Sequence, residues 1–322
     1  MNPIINPQDI FYTGASSPHI RPASVSVKAI MRDVLLALVP AAFAGVYFFG
    51  LKAANLMALG MLTCILAEVA WQKAGGRKIT PGDGSAAVTG LLLALTLPPD
   101  APWWIPVIGG IFGIIVVKQF FGGLGQNIMN PALGARAFLV ASWPVHMTRW
   151  SIDGISGATA LEILKNPDAS EALPSFVNIF LGHTGGCIGE TSVLALLLGG
   201  GYLLYRRVIT WHIPAVYIGT VMLLTFVLGR EGFFSANPFY EACAGGLFLG
   251  AFFMATDYAT SPMTKRGEMI FALGCGLLTT VIRLYGGYAE GVCYSILIMN
   301  LFVPLIDRFI VPRPFGGGYI HE

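Results

Sequence analysis

Ten runs of mostly apolar residues constrain this chain more than any other feature. They lie at roughly 30–50, 53–72, 85–97, 103–121, 131–143, 191–206, 209–229, 241–256, 267–284 and 290–312. A helix needs about 20 mostly apolar residues to cross a bilayer. The runs 85–97, 131–143 and 241–256 are too short to cross alone. Short segments bounded by Pro or Gly are how broken helices read in transporter-type folds. Only 11% of the residues are charged, against about 25% in a soluble domain. The chain must therefore bury its apolar surface in lipid, and an all-α polytopic membrane protein of about ten helices is expected. All six Trp residues sit at or just beyond the ends of the runs, as an interfacial aromatic belt would.

Charge sets the orientation. With the N-terminus inside, the inner segments carry thirteen Lys and Arg and the outer segments five. This positive-inside bias predicts cytoplasmic termini (1–28 and 313–322), five-helix units over 29–143 and 191–312, and an outer loop over 144–190. The two units carry a faint repeat. "LLLALTLPPDAPWW" and "GGLGQNIMNP" in the first match "GLFLGAFFMATDYATSP" and "GGYAEGVCYSILIMNLFVP" in the second. Five spans per unit is an odd number, so the halves of such a 5+5 repeat are inverted in the membrane. The net charge of +2 is too small to suggest nucleic acid as a partner. The five cysteines have no CxxC spacing and the five histidines no ligand spacing, so neither an iron–sulfur nor a zinc framework is expected. The first 28 residues lack the continuous apolar core of a cleavable signal peptide.

The outer loop contains "DGISGAT", residues 153–159. Gly154 and Gly157 suit a turn, Asp153 an Asx-turn or a loop carboxylate, and Ser156 the N-cap of a short helix over "ATALEILKN". A helix N-terminus also suits a phosphate. Thr159 would then offer its hydroxyl in the first turn, while Gly157 and Ala158 let a bulky group approach the backbone.

"SGATAL" after Asp-Gly resembles the flavinylation site of the NqrB and RnfD family, membrane subunits of ion-translocating electron-transfer complexes. The resemblance extends through "SSPHIRPASVSVKAIMRDVLLALVPA", "GDGSAAVTGLLLALTLPP", "GGLGQNIMNPALGARAFL", "FMATDYATSP" and "EGVCYSILIMNLFVPLID". The longer N-terminal region of NqrB proteins is absent, which favours the RnfD branch. The resemblance implies a urea-transporter-like inverted repeat in a bacterial inner membrane. It also implies FMN joined to Thr159 by a phosphoester, made by a flavin transferase from FAD. The complex would move electrons between ferredoxin and NAD and couple this to Na⁺ or H⁺ transport. RnfG is the nearest implied partner, with RnfA, RnfE, RnfC and RnfB completing the complex. A second, non-covalent flavin, riboflavin, is implied by analogy with NqrB. No GxGxxG follows a strand, so electrons enter and leave through partners. The alternative is a urea-transporter-type channel without a redox role, or a structural anchor whose loop is merely a turn.

Other polar residues have two readings each. Arg136 either pairs with a phosphate or flavin carbonyl, or satisfies carbonyls freed at a helix break; an ionisable group in a membrane segment is a functional candidate by default. Asn127 and Asn130 either bond a flavin edge or cap helix ends. Asp257 is a site candidate, a cap, or a partner for Lys265 or Arg266. Glu68, about one turn from the inner end of its run, is expected to snorkel to water. No carboxylate lies near the middle of a predicted span. Backbone carbonyls at broken helices are therefore the expected ligands for any ion that crosses here, unless the ion path lies in other subunits.

Overall fold

The computed structural model describes residues 12–14, 17–21, 26–152, 155–156, 159–165, 173–229, 234, 236–287 and 290–311. Helices dominate. The strands are two short antiparallel ribbons, β1 (Tyr12–Gly14) with β2 (Ser17–Arg21) and β3 (Ser151–Ile152) with β4 (Ile155–Ser156).

Helix α1 (Val27–Ala74) is 48 residues long and breaks at Gly50, where φ is 68° and ψ −156°. Unbroken, it would extend about 70 Å at 1.5 Å per residue, more than twice a hydrocarbon core. The break yields two arms, 27–49 and 51–74, which correspond to the two expected spans. Helix α2 (Ser85–Leu95) is buried on nearly every side, as an all-round apolar helix must be. It packs against the second arm at Gly90, where an added Cβ would lie 2.4 Å from the Gly60 carbonyl oxygen. Small residues permit such close backbone contact between membrane helices.

Helix α3 (Trp104–Phe112) runs on into a π-helical stretch, Gly113–Gln119, before α4 (Pro131–Ser142). The 144–190 segment carries α5 (Pro144–Met147), α6 (Ala160–Lys165) and α7 (Phe176–Leu181). Helices α8 (Val193–Tyr205) and α9 (His212–Leu228) follow. The run expected as one short helix over 241–256 is divided. Helix α10 (Pro238–Cys243) ends, residues 244–246 are not helical, and α11 (Leu247–Leu249) leads into a π-helical stretch, Gly250–Met254. Helices α12 (Lys265–Tyr285) and α13 (Val292–Phe309) complete the fold.

Among the described residues, α1, α12 and α13 are long and apolar enough to cross a membrane. Five shorter apolar helices of 10–17 residues pack among them. One continuous core joins α1, α2, α4, α8, α9, α12 and α13. Large apolar side chains such as Phe43, Tyr47 and Leu51 remain more than 70% exposed on the outside of α1. An apolar exterior over an apolar core is the pattern of a membrane protein.

Candidate functional site

Thr159 sits immediately before α6 and is 7% exposed. Its hydroxyl oxygen accepts from the Glu162 N–H at 3.2 Å, and the Glu162 carboxylate accepts from the Thr159 N–H at 2.9 Å. This is a reciprocal capping box, so the N-cap of the helix is Thr159 rather than Ser156. The T-x-x-E signature over 159–162 was readable in the sequence. The other Glu162 oxygen accepts from the buried Trp150 indole at 3.2 Å. Of Ser156 only the backbone is described, in β4, where Ser151 lies opposite. Asp153, Gly157 and Ala158 lie outside the described residues.

Two cavities meet at Thr159. One, of about 560 Å³, is walled by Arg136, Met147, Trp150, Glu290 and Tyr294. The other, of about 320 Å³, opens toward Thr184, Glu190 and the Ala244–Gly245 backbone.

Arg136 projects from α4 into this region. Its guanidinium donates to the Thr96 carbonyl at 2.8 Å and to Glu290 at 2.7 Å, and lies 3.4 Å from the Cys187 sulfur and 4.0 Å from Glu190. It thus satisfies a carbonyl at the end of a broken helix, the second of its two expected roles, while still facing the cavity. The 187–190 segment docks on the same helix end, with Ile188 and Gly189 donating to the Leu97 and Leu95 carbonyls at 3.0 and 2.7 Å. Gly189 permits this: an added Cβ would lie 2.5 Å from the Leu95 Cβ. Burial, then the Glu290 carboxylate, push Glu190 up from the usual carboxylate range to about 8. Sequence reasoning missed Glu162, Glu190 and Glu290. Each stands next to an element start, and a count of acids at the ends of the runs would have flagged the latter two.

Asn130 caps α4, accepting from Ala132 and Leu133 at 3.0 and 3.3 Å, and donates to the Met254 carbonyl at 3.2 Å. With the Asn300 amide oriented to satisfy its neighbours, the Asn130 N–H donates to its side-chain oxygen at 3.1 Å. Capping therefore accounts for Asn130, some distance along α4 from Arg136. A separate cavity, of about 740 Å³, is lined by Lys118, Asn127, Asn130 and Asp257. Asp257 accepts from the Thr260 hydroxyl at 3.2 Å, and Asn127 donates to the Met129 carbonyl. Glu68 does not snorkel. It pairs with Lys118 at 2.9 Å, both side chains 2% exposed, and accepts from Gln119 at 2.7 Å. The π-helical turn carrying Lys118 and Gln119 brings both to one carboxylate.

Residues 13–316 match the family described as NQR2, RnfD, RnfE. A relative from Acetobacterium woodii, the D subunit of a Na⁺-translocating ferredoxin:NAD⁺ oxidoreductase complex, is 50% identical over 94% of this chain and 95% of its own. The D subunit of a proton-translocating ferredoxin:NAD⁺ oxidoreductase complex from Clostridium ljungdahlii is 49% identical over 95% and 96%. Its counterpart in an ion-translocating oxidoreductase complex from Halorhodospira halophila is 40% identical over 94% of each chain. The sequence blocks, the apolar helices and these matches along nearly the whole length lead to one assignment: the chain belongs to the NQR2, RnfD, RnfE family.

Proposed function

We propose that this chain is the D subunit of an ion-translocating ferredoxin:NAD⁺ oxidoreductase and holds FMN covalently on Thr159 as an electron relay. Identity of 50% along 94% of the chain supports the complex. The observation that carries the flavin is the buried Thr159 hydroxyl on the wall of a cavity of about 560 Å³. The residues fit the group. Trp150 and Tyr294 offer aromatic surface, and Arg136, already paired with Glu290, lies on the same wall. Helix α6 has only six residues, so its dipole contributes less than Arg136. The Thr159 oxygen acts as an acceptor in the capping box, and that role survives when phosphorus replaces its proton.

In the attachment step the Thr159 oxygen bonds to the FMN phosphorus of FAD, the pyrophosphate bond breaks, and AMP leaves while the hydroxyl proton passes to water. A flavin transferase would catalyse this. Once bound, FMN supplies electron transfer; the chain's residues position it and exclude water. The partner subunits RnfG, RnfA, RnfE, RnfC and RnfB would deliver and remove electrons. A second, non-covalent riboflavin would sit between the helices, where Lys118, Asn127 and Asp257 line a cavity. The contact between Asn130 and Asn300, the two asparagines of the "IMN" repeat, supports an inverted 5+5 arrangement of ten helices in the inner membrane.

A denaturing gel of the purified subunit viewed under ultraviolet light should show a fluorescent band, absent in Thr159→Ala. Mass spectrometry of the peptide containing Thr159 identifies nucleotide and site. A dark band from cells that possess the transferase would defeat the electron-relay reading and leave a channel of the urea-transporter type in contention.

A further inference from the structure

We propose that Glu190, with Glu290 and Arg136, forms a proton-binding site on the wall of the Thr159 pocket, one dissociable proton being held by the carboxylate pair. Glu190 belongs to the segment between α7 and α8, Glu290 precedes α13, and Arg136 comes from α4. Cys187 Sγ and one oxygen of each carboxylate lie within 4.8 Å of one another. Arg136 is committed to Glu290 at 2.7 Å and stands 4.0 Å from Glu190. One Glu190 oxygen accepts from the Cys187 N–H at 3.3 Å. The other is buried with no hydrogen-bond partner, on a side chain 3% exposed, and approaches the Gly246 backbone at the α10–α11 break.

An ionised oxygen in that position is strongly disfavoured; a buried carboxylate normally protonates instead. The surrounding charges reinforce this. Arg136 and Arg283 face the cluster, the latter donating to the Glu241 and Ala244 carbonyls. Against them stand Glu190 and Glu290, with Glu162 across the Thr159 cavity. Burial pushes the nearby Cys187 thiol up, which keeps it neutral. Acids outnumber cations, and one proton removes the like-charge repulsion between the pair. A metal ion fits less well, because the guanidinium already lies against the same sulfur and carboxylate oxygens.

The pocket is shared with Thr159, so the proton answers to charge there; this step rests on the electron-relay reading. Above the pH at which the site has lost its proton, one electron delivered to the Thr159 group would add a negative charge there, and one proton from water would bond to the Glu190 carboxylate.

Infrared difference spectroscopy of the intact, flavin-loaded complex tests this. The wild type should show a carboxylic-acid C=O band that shifts in D₂O and bleaches as pH rises through about 8; Glu190→Gln should lack it. Glu290→Gln frees Arg136 for Glu190 and should move the bleaching down by one pH unit or more. Chemical reduction at a pH above the bleaching should restore the wild-type band. A band retained in Glu190→Gln, or no such band in the wild type, overturns the site. An unmoved titration in Glu290→Gln overturns the sharing, and a band indifferent to reduction overturns the coupling. A dark Thr159 gel band beside an intact Glu190 titration would sink the flavin reading and spare this one.

Discussion

Thr159 and Glu162 hold each other, and this reciprocal cap fixes where the Thr159 oxygen points. Glu162→Ala removes the acceptor for the Thr159 N–H and for the Trp150 indole. Losing a cap costs about 1 kcal/mol locally. The expected result is a fainter fluorescent band with normal subunit abundance, whereas Thr159→Ser, which keeps both hydroxyl and cap, retains it. Lys118 presents the opposite case, a charge buried to 2% beside Glu68. Breaking a buried pair by removing one member costs about 3–5 kcal/mol, while replacing both with apolar groups is often neutral. Lys118→Met should therefore sharply lower thermal stability in detergent, and Glu68→Met with Lys118→Met should recover most of it. For Glu190 the folded state holds a proton that the unfolded chain releases near 4.5. Its contribution is fully present below that value and is lost as pH rises through about 8, by the linkage of proton binding to folding. Thermal unfolding of the wild type should thus weaken between those pH values more than that of Glu190→Gln.

Helices in this fold end inside the protein, and the sequence conveys that only in part. Run lengths and bounding Pro and Gly identified 85–97 and 131–143, which became α2 and α4 with ends within about two residues. The division of 241–256 was not legible. That break is held by Arg283 and approached by Glu190, residues about 40 and 55 positions away, and no local pattern encodes such partners. The π-helical stretches 113–119 and 250–254 were equally invisible, since one extra residue per turn leaves an apolar run apolar. At the site, Thr159 and Arg136 were found by motif and by charge, but Glu190 and Glu290 meet only through tertiary packing. Two glycines test the element scale. Gly50 holds a backbone conformation nearly reserved for glycine, with nothing within 4 Å of an added Cβ. Gly50→Ala should cost about 1–3 kcal/mol through backbone strain alone. Gly189→Ala instead collides with Leu95 and should displace Glu190, abolishing the carboxylic-acid band while Gly50→Ala leaves it in place.

Among the described residues two buried polar clusters stand apart, and the Lys and Arg count along the chain predicts opposite sides of the membrane for them. Arg136, Glu190, Glu290 and Thr159 cluster next to the 144–190 segment, whereas Glu68, Lys118 and Asp257 cluster next to segments rich in Lys and Arg. On the proposed reading, a covalent group at one end and a polar cavity at the other would lie at different depths, and charge movement between them is what a transmembrane field can act on. The orientation expected from the Lys and Arg count is open to direct measurement. Val145 and Val177 are each 61% exposed on the proposed outer side, and Tyr205 and Met263 are 85% and 87% exposed on the proposed inner side. The five native cysteines are buried or partly buried, so background labelling is low. Single cysteines at 145 and 177 should react with a membrane-impermeant maleimide in intact cells, and those at 205 and 263 only after permeabilisation. Labelling of 263 from outside would invert the assignment and move Thr159, with the proton site beside it, to the cytoplasmic face. Ferredoxin-derived electrons would then reach it without first crossing the bilayer.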